Sequence, residues 1–124
     1  MAKSASDLVG EAKGKVENLD PDAVEGELAS GAVLVDLREA DELDANGRIP
    51  GAFHVPRGML EFRADPSSPY HDSVLDPSKR IILHCASGGR SALGASVLQE
   101  MGYDDVAHLD GGITAWKDAG KTVE

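Results

Sequence analysis

One cysteine, Cys85, stands alone in 124 residues, so no internal disulfide can form and its thiol either stays free or reacts. None of the four histidines is spaced from it like a zinc ligand, and no metal or cofactor is expected. No apolar run approaches the ~20 residues needed to span a membrane. The opening stretch MAKSASDLVGEAKGK has no apolar signal core and is not arginine-rich, so the expected setting is the cytoplasm. Positive charge is also scarce: 12 Lys and Arg face 22 Asp and Glu, for a net charge of −10. That argues against a nucleic-acid partner, which requires clustered cations. An acidic surface of this kind most simply serves solubility.

What is present alternates between two kinds of segment. Continuous apolar runs, AVLVDL, IILH and DVAHL, read as buried parallel strands, and IPGAFHVP allows one more short strand between prolines. Between them lie helical stretches with their own punctuation. Ser4 can cap a first helix, although Gly10 and Gly14 weaken it. Asp20 and Pro21 start a second helix and Gly31 can end it, while Asn46-Gly47 stops a brief third. GMLEFRADPSSPYHD reads as a poor helix running into a loop. After the cysteine, Leu93, Val97 and Met101 recur every fourth residue beside Leu98, and Gly102 supplies the helix end. GITAWKDAG is a final helix, with Ile113 and Trp116 as core anchors. Strands alternating with helices indicate an α/β fold around a mostly parallel sheet.

In such folds, ligands bind beyond the carboxyl ends of the strands, which is where Cys85 sits. Ala86, Ser87, Gly88 and Gly89 carry little side chain, so their N–H groups can turn inward as a nest for an anion. A helix beginning near Arg90 adds unpaired N–H groups, and Arg90 adds a planar cationic fork. Thiols at helix N-termini or beside cations ionise readily, and the thiolate is the nucleophile. A lone cysteine after an apolar strand is more often an inert core residue. The loop, the arginine and the helix start together reverse that reading.

VLVDLREADE, GRIPGAFHVP, IILHCASGGRSA and LDGGITAWKDAG, in this order, resemble the single-domain rhodanese family of sulfurtransferases. The likeness divides the chain into a helical extension at 1–15, a rhodanese-like domain at 16–120 and a tail at 121–124. It implies a three-layer sandwich: a five-stranded sheet with helices on both faces. It also implies that Cys85 takes sulfane sulfur from a small anionic donor such as thiosulfate, becoming a persulfide. The sulfur then passes to cyanide or a thiol, with thioredoxin-like and sulfur-carrier proteins among the acceptors. Residues 86–90 would form the donor cradle. The family usually has GHIPGA where this chain has Arg48, which puts one loop contact in doubt.

Asp36 and Arg38 end the first buried strand at the same sheet edge as Cys85, and two-residue spacing places both on one face. A pair that fixes loop geometry is the favoured role. His84 adjoins Cys85 in a strand and should point to the opposite face; His54 can face the site; His71 and His108 read as structural. GEAKGKV is rejected as a phosphate loop, having three residues between its glycines and Val16 in place of Ser or Thr. Two other functions compete. Cysteine phosphatases and arsenate reductases resemble Cys-x5-Arg, whereas Cys85 and Arg90 here enclose only four residues. Binding modules of the rhodanese-like type often lack the cysteine that this chain retains.

Overall fold

The computed structural model describes residues 2–124. Ser4 caps α1 (Ala5–Lys13) through a reciprocal bond pair with Asp7, so the helix forms despite Gly10. β1 (Glu17–Leu19) leads to α2 (Pro21–Ala29), where Asp20 accepts from the Ala23 amide and proline occupies the first turn. β2 (Val33–Asp36) feeds α3 (Ala40–Asn46), which stops at Gly47 with φ 75°. β3 (Phe53–His54) is followed by a 3-10 turn at Arg57–Met59 and α4 (Leu60–Ala64). β4 (Ile81–His84), α5 (Gly89–Glu100), β5 (Val106–Leu109) and α6 (Gly112–Asp118) complete the chain.

The strands form one sheet in the order β1-β5-β4-β2-β3, and every pair is parallel. Alternation along the strands divides the core in two. Val35, Ile81, Leu83 and Val106 join Leu60, Ala95 and Leu98 of α4 and α5 on one face. Leu34, Ile82, Ala107 and Leu109 meet Val24 of α2 and Ile113 and Trp116 of α6 on the other. The expected α/β sandwich is therefore present, with β1 added at its edge. ENL had no apolar run to mark it, because Glu17 and Asn18 are exposed and only Leu19 is buried.

The buried face of α5 is rotated from the one its leucine and valine spacing suggests, although Leu98 is in the core and Met101 packs against it. Ser91, Ala92, Gly94, Ala95 and Leu98 are buried, while Leu93 and Val97 are half-buried. Gly94 explains the rotation. A Cβ there would lie 2.9–3.1 Å from Leu37, Leu60 and Leu83, so a bare backbone lets the helix settle closely on the sheet. α1 packs against α5. At the other end, the Arg48 and Glu124 backbones exchange hydrogen bonds at 2.8 and 2.9 Å, and Trp116 donates to the Thr122 carbonyl. Residues 121–124 are thus tied to the domain.

Candidate active site

Cys85 continues the alternation of Ile81 and Leu83, so its side chain lies on the α5 face, only 1% exposed. The Gly88 N–H donates to Sγ at 3.2 Å. Gly88, the cap residue before α5, has φ 104°, a left-handed conformation suited to glycine. Behind the loop, the N–H groups of Ile113 and Thr114 at the start of α6 donate to the carbonyls of Cys85 and Ala86 at 2.9 and 3.2 Å. Those carbonyls are engaged by α6, and the Gly88 N–H is the loop amide directed at the thiol. Ser87 is exposed, whereas Ala86, Gly89 and Arg90 are half-buried.

Arg90 is not free. Its two terminal nitrogens donate to the two Glu42 carboxylate oxygens at 2.6 and 3.0 Å. The hydrogen bonds from Arg90, joined by the Glu39 amide, draw Glu42 down to about 2. Glu42 in turn raises Arg90 above its ordinary value, and Cys85 adds a smaller push in the same direction. The guanidinium is therefore held on both terminal nitrogens by the Glu42 carboxylate. Glu42 lies in the first of the four matched motifs, but its spacing from Arg90 gives no local signal of the pairing.

Asp36 and Arg38 pair with each other on the side of the sheet away from the thiol. Arg38 donates to Asp36 at 2.8 and 3.0 Å and to the Gly47 carbonyl at 2.9 Å, with both side chains 1% exposed. Asp36 alternates with Leu34, opposite the Cys85 side, and lies across the strand register from His84. Burial pushes the Asp36 carboxyl up, but hydrogen bonding from Arg38 and the neighbouring His84 bring it below its ordinary value. Burial lowers His84, opposed by Asp36. His84 Nδ1 is 3.3 Å from the Cys85 carbonyl oxygen, so this cluster reaches the loop through its backbone.

On the thiol's own side stands a group that strand reading left out. Cys85 Sγ is 3.6 Å from Ser91 Oγ, and Ser91 Oγ is 2.9 Å from His108 Nδ1. His108 Nε2 is 2.7 Å from Asn18 Oδ1. The one available hint was Ser91 directly after Arg90; the parallel register of β4, β5 and β1 supplies the rest. His54 bonds the Arg38 carbonyl at 2.6 Å and His71 the Leu75 carbonyl at 3.2 Å. Among the described residues no three of His, Cys, Asp and Glu gather as a metal site. An open cavity of about 480 Å³, lined by Leu28, Val33, Pro50, Phe53 and Val74, shares no residue with the cysteine loop.

Residues 20–119 match the family described as the rhodanese-like domain. The chain belongs to that family. Proteins similar to it include a sulfurtransferase of Allochromatium vinosum, 31% identical over 103 residues that cover 82% of this chain and 88% of that one. The thiosulfate sulfurtransferase GlpE of Shewanella oneidensis is 32% identical over 91 residues, covering 73% and 81%. A solved structure from Rhodopseudomonas palustris, of a protein of unknown function described as a possible tyrosine phosphatase, is 39% identical. It superposes with a TM-score of 0.93 over 100% of this chain and 96% of that one. The family resemblance and the fold expected from the four motifs are borne out. The sulfurtransferase relatives support a sulfurtransferase-type enzyme.

Proposed function

We propose that this rhodanese-like protein transfers sulfane sulfur through a Cys85 persulfide. The Gly88 N–H directed at Sγ, in a loop of four residues closed by Arg90, is the observation that carries the reading. The thiolate attacks the outer sulfur of thiosulfate, a Cys85 S–S bond forms, and the sulfur–sulfur bond of the donor breaks to release sulfite. The amides of residues 86–90 offset the negative charge on the new terminal sulfur. Cyanide or a thiolate then attacks that sulfur and regenerates the Cys85 thiolate. Arg90 orients an oxyanionic donor, and Asp36 with Arg38 braces the strand end before α3. Small thiols, thioredoxin-like proteins and sulfur carriers in the cytoplasm are the acceptor classes that fit.

Thiosulfate should raise the protein's mass by one sulfur atom, and cyanide should remove it. Cys85→Ser should fold and take up none. Sulfur transfer persisting in Cys85→Ser would rule the mechanism out, because the chain has no second cysteine.

The likeness to the Rhodopseudomonas palustris protein, a possible tyrosine phosphatase, favours a second reading, a cysteine phosphatase. Against it stand the four-residue spacing and the Glu42 carboxylate already bonded to Arg90. Side-by-side assays with para-nitrophenyl phosphate and thiosulfate separate the two. Cys85-dependent ester hydrolysis without persulfide formation would make the phosphatase reading the better one.

A further inference from the structure

Cys85, Ser91 and His108 are all at most 1% exposed, so a thiol there has little direct access to water as a proton acceptor. The hydrogen bonds around them fix which group can take one. Asn18 Nδ2 donates to the Lys13 and Val16 carbonyls at 2.9 and 3.1 Å, and a carbonyl accepts only. The Asn18 amide is thereby oriented with Oδ1 toward His108. Nε2 of His108 must then carry the proton in that 2.7 Å bond, which leaves the Nδ1 lone pair facing Ser91 Oγ at 2.9 Å. Ser91 has one proton to give. Its Gly88 carbonyl alternative is longer, at 3.3 Å, and with the O–H given to Nδ1, the serine oxygen accepts from the Cys85 S–H.

We propose that Cys85 and His108 share one proton through Ser91, with His108 the positioning residue whose tautomer Asn18 sets. The inference rests on Cys85 being the nucleophile. In the transfer, the S–H proton moves to Ser91 Oγ while the Ser91 O–H proton moves to His108 Nδ1. The S–H electron pair stays on sulfur, and the Nδ1 lone pair forms the new N–H bond. Thiol and imidazole become thiolate and imidazolium with no change in net charge, and the re-formed serine hydroxyl donates to the thiolate. An internal ion pair of this kind avoids sending a lone charge into the core.

Other charges act on His108 from the turn after β5 and from the end of α1. Asp110 and Lys13 lie 3.1 Å apart in a salt bridge and act on the imidazole in opposite directions. Burial holds His108 below its ordinary value, which favours the neutral imidazole, and the Nδ1 lone pair facing Ser91 is the acceptor.

Two measurements on the full chain test the relay. Side-chain ¹⁵N shifts of His108 can be followed with pH before and after capping Cys85 with methyl methanethiosulfonate. Capping should move the His108 midpoint down by about one pH unit, since two groups sharing a proton titrate together. Second, His108→Asn keeps an acceptor near Ser91 but cannot hold the proton. Its iodoacetamide alkylation should slow roughly tenfold at pH 7 and recover the full limiting rate at high pH. An unmoved His108 midpoint, or superimposed alkylation profiles, would overturn the relay. If His108→Asn does not fold, the capping experiment on the unaltered chain decides alone. Neither measurement uses a sulfane-sulfur donor, so failure to form a persulfide and failure of the relay are separate results.

Discussion

Glu42 on α3 grips Arg90 on α5 through both terminal nitrogens, at 2.6 and 3.0 Å. The cation closing the cysteine loop is therefore already partnered, and an anionic donor must share it. Glu42→Gln should release Arg90 and lower KM for thiosulfate several-fold. Arg90→Ala should raise KM and slow alkylation of Cys85 at neutral pH. Arg90→Lys should restore only part of the loss, because a point charge cannot match the planar fork. Steady-state kinetics on the three variants check this; equal KM in Glu42→Gln and wild type would mean that Arg90 does not meet the donor.

The same pair sets a pH dependence. Arg90 draws Glu42 from 4.5 to about 2 in the folded chain, so folding holds this carboxylate in its ionised form. The resulting stability is fully present above about pH 4.5 and is lost as pH falls toward 2. With the pair partly open to solvent, its worth is about 1 kcal/mol. Urea unfolding should show Glu42→Gln less stable than wild type by that amount at pH 7. The gap should close as pH falls toward about 2, the low folded value. A gap unchanged by acid would assign the stabilisation to packing.

Gly112 supports the loop from behind. At φ 60°, a Cβ on it would collide with the Cys85 and Ala86 carbonyls that accept from α6. Gly112→Ala should cost at least ~2 kcal/mol from strain and overpacking together. Any folded fraction should lose sulfur uptake, because the loop must shift to make room. Gly10→Ala is a control, since no atom lies within 4 Å of its Cβ position. Thermal unfolding and persulfide yield measured in parallel would expose a rigid loop with no such dependence.

Long-range charge should oppose an anionic donor. The net charge of −10 repels thiosulfate, and neutralisation of Arg90 by Glu42 leaves little local attraction at a distance. Screening lengths fall from ~30 Å at 0.01 M salt to ~8 Å near 0.15 M. kcat/KM for thiosulfate should therefore hold or rise as an inert salt is added, with little change for an uncharged persulfide donor. A steep fall for thiosulfate alone would point to a positive mouth, with Arg48, Arg57 and Arg63 the cations to test.

The sequence alone determined whatever depends on contiguous residues. Apolar runs long enough to bury both faces marked β2, β4 and β5. Asp20-Pro21 and Gly47 bounded their helices because caps and positive φ are local demands. Cys85 ahead of small residues, Arg90 and a helix start was legible for the same reason. Tertiary structure decided what surrounds that thiol. Glu42 and Arg90 are brought together from separate helices, and Asn18 reaches His108 only because β1 pairs with β5. Which face of α5 is buried was settled by Gly94, whose missing side chain admits Leu37, Leu60 and Leu83 more strongly than the leucine and valine spacing directs the helix. Such choices depend on register and close approach across the sheet, and no short window of residues contains both partners.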